Sequence, residues 1–185
     1  METLFTSTSI VALAEIGDKT HLLAILLAAR FKRPVLIMLG IFLATIANHF
    51  IATFIGVQAA AFLDATWFRY LIALSFIVMG LWVLIPDTFD EGEQTLASYG
   101  VLLTTLLAFF WVEMGDKTQI ATIALGARFQ DMMFVTAGTT IGMMLANVPA
   151  IYLGERLLKH APLNIIRATA AGLFILMGIS ALVWG

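Results

Sequence analysis

The sequence predicts an all-α polytopic membrane protein: six transmembrane helices arranged as two inverted-topology three-helix repeats. Three observations predict it. Hydrophobic residues make up 61% of the 185 and charged residues only 12%, against roughly 25% charge in soluble domains; such a chain has too little polar surface to face water. Six apolar stretches approach the ~20 residues that cross a bilayer. One acidic hexapeptide occurs twice, at equivalent places in the two halves.

The first stretch runs from Leu4 to Ala29. No Lys or Arg precedes it, and Glu15 and Asp18 fall in its middle, so it reads as a transmembrane helix and not as a cleavable signal. The second, Val35 to Ala60, begins behind Pro34, a residue suited to a first helical turn. The third, Trp67 to Ile85, stops at Pro86. The fourth, fifth and sixth run from Ala97 to Ala127, Met132 to Leu153 and Leu163 to Trp184, the last behind Pro162. Residues 1–86 form the first repeat, 87–97 an acidic cytoplasmic linker and 98–185 the second repeat.

Loops one, three and five carry Arg30, Lys32, Arg33, Arg156, Lys159 and Arg167, whereas loops two and four carry Arg69 and Arg128. The positive-inside rule then places both termini outside, on the periplasmic side of a cell inner membrane. Asp87, Asp90, Glu91 and Glu93 in the linker count little in that rule. They form either a solvated connection or a negative potential that draws cations. A net charge of -2 leaves no basic footprint for nucleic acid. With no cysteine, disulfides, iron–sulfur clusters and thiolate metal sites are excluded.

The halves match at a spacing of 98 residues, Glu15 falling on Glu113. Glu15-Ile16-Gly17-Asp18-Lys19-Thr20 aligns with Glu113-Met114-Gly115-Asp116-Lys117-Thr118. Ala29-Arg30-Phe31 aligns with Ala127-Arg128-Phe129, Gly40 with Gly138, Arg69 with Arg167 and Gly80 with Gly178. Ala47-Asn48 meets Ala146-Asn147 after a slip of one. Three spans per half is an odd number, so the second half enters the membrane from the opposite side. Inverted repeats of this kind belong to secondary transporters, which bind cargo near the midplane where the repeats meet.

Glu15 and Asp18, and again Glu113 and Asp116, are three apart and so share a helix face. At mid-bilayer depth each costs about 2.5–3.5 kcal/mol to insert. Glu15–Lys19 and Glu113–Lys117 are i,i+4 pairs that offer a purely structural explanation. Even so, four carboxylates and two ammonium groups leave -2 across the motifs. One divalent cation balances that remainder, and so do two protons, which is the requirement of metal–proton exchange. The expected metal ligands are Glu15, Asp18, Glu113 and Asp116, joined by Asn48, Asn147, Thr20, Thr118, Gln119 and His21. This oxygen-rich set suits Mn²⁺, Ca²⁺ or Mg²⁺. Gly17 and Gly115 allow either a helix break that frees carbonyls or close helix packing. His21 either tunes the site or is a hydrogen-bonded core histidine; His49, beside Asn48, has the same two readings. Gly138 and Gly142 read as packing.

The doubled Glu-x-Gly-Asp-Lys-Thr motif, one per half, resembles the Gdt-type transporter family, related to calcium exchangers, over essentially the whole chain. It is most similar to the compact bacterial members, which resemble manganese exporters. The resemblance implies exchange of cytoplasmic Mn²⁺, or alternatively Ca²⁺, for protons, with the four motif carboxylates as the cation site. It implies no enzymatic activity and no resident cofactor, the metal being cargo, and its partners are the cation, protons and the lipid bilayer. Two rivals are an intramembrane aspartyl protease and a proton-coupled carrier of a small solute. A catalytic dyad would need neither the second pair of carboxylates nor the lysines, and Trp111 is the only aromatic anchor close to a motif.

Overall fold

The computed structural model describes residues 1–62, 65–85, 100–154 and 162–184. They form eight helices: α1 (Glu2–Glu15), α2 (Lys19–Phe31), α3 (Pro34–Phe62), α4 (Ala65–Val83), α5 (Val101–Glu113), α6 (Lys117–Phe129), α7 (Met132–Leu153) and α8 (Leu163–Trp184). The acidic linker 87–97 lies outside the described residues, as do Arg156, Lys159 and His160. Three helices, over Pro34–Ala61, Met132–Leu153 and Leu163–Val183, are long and apolar enough to cross a membrane, while those over Trp67–Val83 and Val101–Glu113 are apolar but shorter.

The first and fourth predicted spans are each broken in two, which corrects the expectation of continuous helices. Gly17 and Gly115 adopt φ of +81 and +77, a left-handed conformation that a helix cannot pass through. Before each glycine, Ile16 and Met114 are extended; after it, Asp18 and Asp116 are extended N-caps of α2 and α6. A single turn bridges each break: Asp18 N–H donates to Glu15 O at 3.0 Å and Asp116 N–H to Glu113 O at 3.1 Å. Thus Glu15 and Asp18 do not share a face of one helix. The glutamate ends one helix and the aspartate starts the next, and the same holds for Glu113 and Asp116. At 1.5 Å per residue each of these short helices is only about 20 Å long, less than a ~30 Å hydrocarbon core.

The halves touch reciprocally. Gly40 on α3 packs on Leu102 and Thr105 of α5, and its equivalent Gly138 on α7 packs on Leu4 and Ser7 of α1. Gly80 on α4 lies against Ala171 and Ile175 of α8, while Gly178 on α8 lies against Ala73 and Ile77 of α4. Every one of these contacts maps onto its partner by the 98-residue shift, as when two halves meet across a two-fold axis. Phe76 and Phe174, also equivalents, stack with ring centroids 6.3 Å apart. Gly142 approaches Thr8 O and Ala12 N, so the Gly138–Gly142 pair serves close packing, as expected. One buried cluster joins Ile10, Phe76, Leu125 and Phe174, and a second joins Leu23, Leu27, Ile37 and Phe109. The outward face of α3 exposes Leu39, Phe42, Ile46, Phe50 and Phe54, an apolar surface suited to lipid.

Candidate metal centre

The two helix breaks bring the motif carboxylates into the interior. Glu15 and Glu113 are fully buried, and Asp18 and Asp116 are 5% and 4% exposed. Each glutamate takes its hydrogen bonds from the opposite half. Thr118 Oγ1 donates to Glu15 Oε2 at 3.0 Å. Asn48 Nδ2 donates to Glu113 Oε2 at 3.4 Å, and His49 Nε2 lies 2.7 Å from Glu113 Oε1. Asn48 also donates to Phe110 O at 3.0 Å, tying α3 to the last turn of α5.

The lysines do not all follow the expected i,i+4 pairing. Lys19 reaches across to Asp116, Nζ to Oδ1 3.1 Å, in place of Glu15. The break explains the change: Glu15 and Lys19 are on different helices, so their four-residue spacing no longer makes them neighbours. Lys117 donates to Ile85 O at the end of α4, at 2.9 Å.

The remaining expected ligands divide. Gln119 is occupied within its own motif, accepting from Gly115 N–H and lying beside Met114 Sδ. Asn147 donates to Met143 O, and its Oδ1 is buried without a partner. Thr20 Oγ1, both ring nitrogens of His21, Glu15 Oε1, Asp18 Oδ2 and Asp116 Oδ2 are likewise buried and unpartnered. Native interiors rarely leave polar atoms so, and the motifs and the asparagines supply several of those found here, alongside hydroxyls such as those of Ser7, Thr45 and Thr140. Among the described residues, no three Asp, Glu or His side chains converge closely enough to hold a metal ion together. The oxygens are shared between a Glu113 centre and a Glu15 centre. Sequence reasoning set His49 beside Asn48 but left it out of the ligand set. The signal was available in its position, one residue past an asparagine that recurs in both halves.

Broken helices, buried carboxylates at the breaks and an apolar exterior define a membrane transporter of ions. The chain belongs to the family described as divalent cation/proton antiporter GDT1, which matches residues 3–91 and 101–185. It is 46% identical over 181 residues, 97% of this chain and 90% of the relative, to a Vibrio cholerae protein named "Putative manganese exporter". It is 27% identical to GDT1-like protein 5 of Arabidopsis thaliana, covering 95% of this chain and 93% of the relative. To the divalent cation/proton antiporter GDT1 of Saccharomyces cerevisiae it is 24% identical, covering 97% and 82%. No solved structure matches the chain.

Proposed function

We propose that this protein exports Mn²⁺ from the cytoplasm in exchange for protons, through a site shared by Glu15, Asp18, Glu113 and Asp116. The observation that carries the reading is the crossed arrangement of the motifs: each buried glutamate is held by side chains of the other half. A cation bound there lies between the halves, where a relative movement of the two exposes it to one side at a time. The -2 left by four carboxylates and two lysines is balanced by one M²⁺ or by two protons, so either cargo leaves the interior equally neutral. The Vibrio cholerae relative's name favours Mn²⁺ as that cargo.

In this reading residues 1–86 and 98–185 are inverted three-span repeats, with α1–α2 and α5–α6 each acting as one broken span. The linker 87–97 is cytoplasmic and both termini are periplasmic. Labelling of a cysteine at position 90 from outside intact cells would reverse that orientation. Exchange is tested in proteoliposomes loaded with a pH dye. Mn²⁺ added to one side is expected to release protons to that side, and an imposed pH gradient to accumulate Mn²⁺ on its acidic side. Mn²⁺ flux indifferent to the gradient would make the protein a channel or uniporter.

A further inference from the structure

We propose that His49 is a nitrogen ligand to the transported cation and that it sets a preference for Mn²⁺ over Ca²⁺ and Mg²⁺. The inference rests on the cation-site reading above and deepens it.

His49 is fully buried on α3, with Nε2 2.7 Å from Glu113 Oε1. Its other ring nitrogen, Nδ1, is buried with no hydrogen-bond partner, and so is Oδ1 of the adjacent Asn48. Nε2 is the nitrogen that faces the carboxylate, so a cation bound by Glu113 would take Nε2 in place of the hydrogen bond to Oε1, beside Asn48 on the other carboxylate oxygen. An imidazole nitrogen this close to a buried carboxylate oxygen lets one ion take both as ligands. His49 therefore differs from His21, neither of whose ring nitrogens bonds any carboxylate.

The chemical consequence is selectivity. Carboxylates, amides and hydroxyls are hard oxygen donors that take Ca²⁺, Mg²⁺ and Mn²⁺ alike. One imidazole in the set favours the transition metal, because Ca²⁺ and Mg²⁺ gain little from nitrogen. The repeat supplies this donor once only. The residue after Asn147 is Val148, so the Glu15 centre has no histidine equivalent to His49. The nitrogen belongs to the Glu113 centre alone.

The test uses the purified full-length chain in nanodiscs. Pulsed electron paramagnetic resonance of bound Mn²⁺ is expected to show coupling to a ¹⁴N ligand. His49→Gln should abolish that coupling and lower the Mn²⁺:Ca²⁺ affinity ratio by about tenfold or more, while still binding Ca²⁺. His160→Gln should leave both unchanged, and the ¹⁴N coupling should persist in His21→Gln. If the His49 variant does not fold, ¹⁵N-histidine labelling of the His21→Gln protein carries the test, the ¹⁴N coupling giving way to ¹⁵N. Mn²⁺ bound without nitrogen coupling, or an unchanged affinity ratio in folded His49→Gln, overturns the inference and leaves the site reading standing. Absence of Mn²⁺ binding by the wild type overturns both.

Discussion

The two copies of the motif differ at a single residue of six, Ile16 against Met114, yet their surroundings differ widely. Gly17 is roofed by α8: a Cβ there would meet Leu163 Cδ2 at 3.0 Å and Arg167 at 3.7 Å. Among the described residues a Cβ on Gly115 would meet nothing within 4 Å, and the neighbouring Trp111 and Met114 are exposed. Asp18, Lys117, Arg167 and Ile85 line one small cavity at the first copy. Both copies nonetheless have the same break, with matching φ, ψ and N-caps. Local sequence therefore sets the backbone of the motif, and tertiary packing sets what covers it.

The strongest way to break this comparison is at the carboxylates, which are buried in both copies. Glu15→Gln, Asp18→Asn, Glu113→Gln and Asp116→Asn are each expected to reduce Mn²⁺ flux in proteoliposomes to background, with normal amounts of folded protein in the membrane. Each change leaves a charge or donor in low dielectric without its counterpart. Near-normal flux in any two would make the acids structural. The motif glycines come next. Gly17→Ala and Gly115→Ala both force an alanine into the left-handed region, at about 1–2 kcal/mol, but only Gly17 meets a side chain as well. Thermal unfolding in detergent should rank Gly17→Ala as the more destabilised; an equal or reversed order would mean that the covering by Leu163 is unimportant. The smallest difference is expected where the halves are alike. At Gly80 and Gly178 an added Cβ comes within 2.9 Å of a neighbour in both cases, so alanine should cost about 1–3 kcal/mol at each. A marked inequality would show that the α4–α8 interface departs from two-fold symmetry.

Much of the fold was legible because the signals were local or repeated. Composition marked the membrane, proline and apolar runs marked the long helices, and the 98-residue spacing marked glycine contacts that recur in matched pairs. The helix breaks were only half legible. Gly17 allowed a break or close packing, and sequence alone cannot choose between two uses of a missing Cβ. Once the break exists, the expected Glu15–Lys19 pair is lost and Lys19 pairs with Asp116, a contact between residues 97 positions apart in sequence that no helical periodicity encodes. The carboxylates were visible as charges in apolar stretches. Their partners were less so: Thr118 and Asn48 were expected as ligands, but not as donors to the glutamate of the other half, and His49 was weighed without being tied to Glu113.

That crossing has a consequence for biosynthesis. Glu15 and its donor Thr118 are separated by 103 residues. At about 5–20 residues per second, the glutamate emerges roughly 5–20 s before the hydroxyl that will hold it has been made. Until then the first half carries a carboxyl group whose side-chain hydrogen-bond donor has yet to be made. A nascent chain arrested between the repeats would hold an orphan that neither lipid nor its own half can satisfy, so insertion of the early helices is provisional until the late ones arrive.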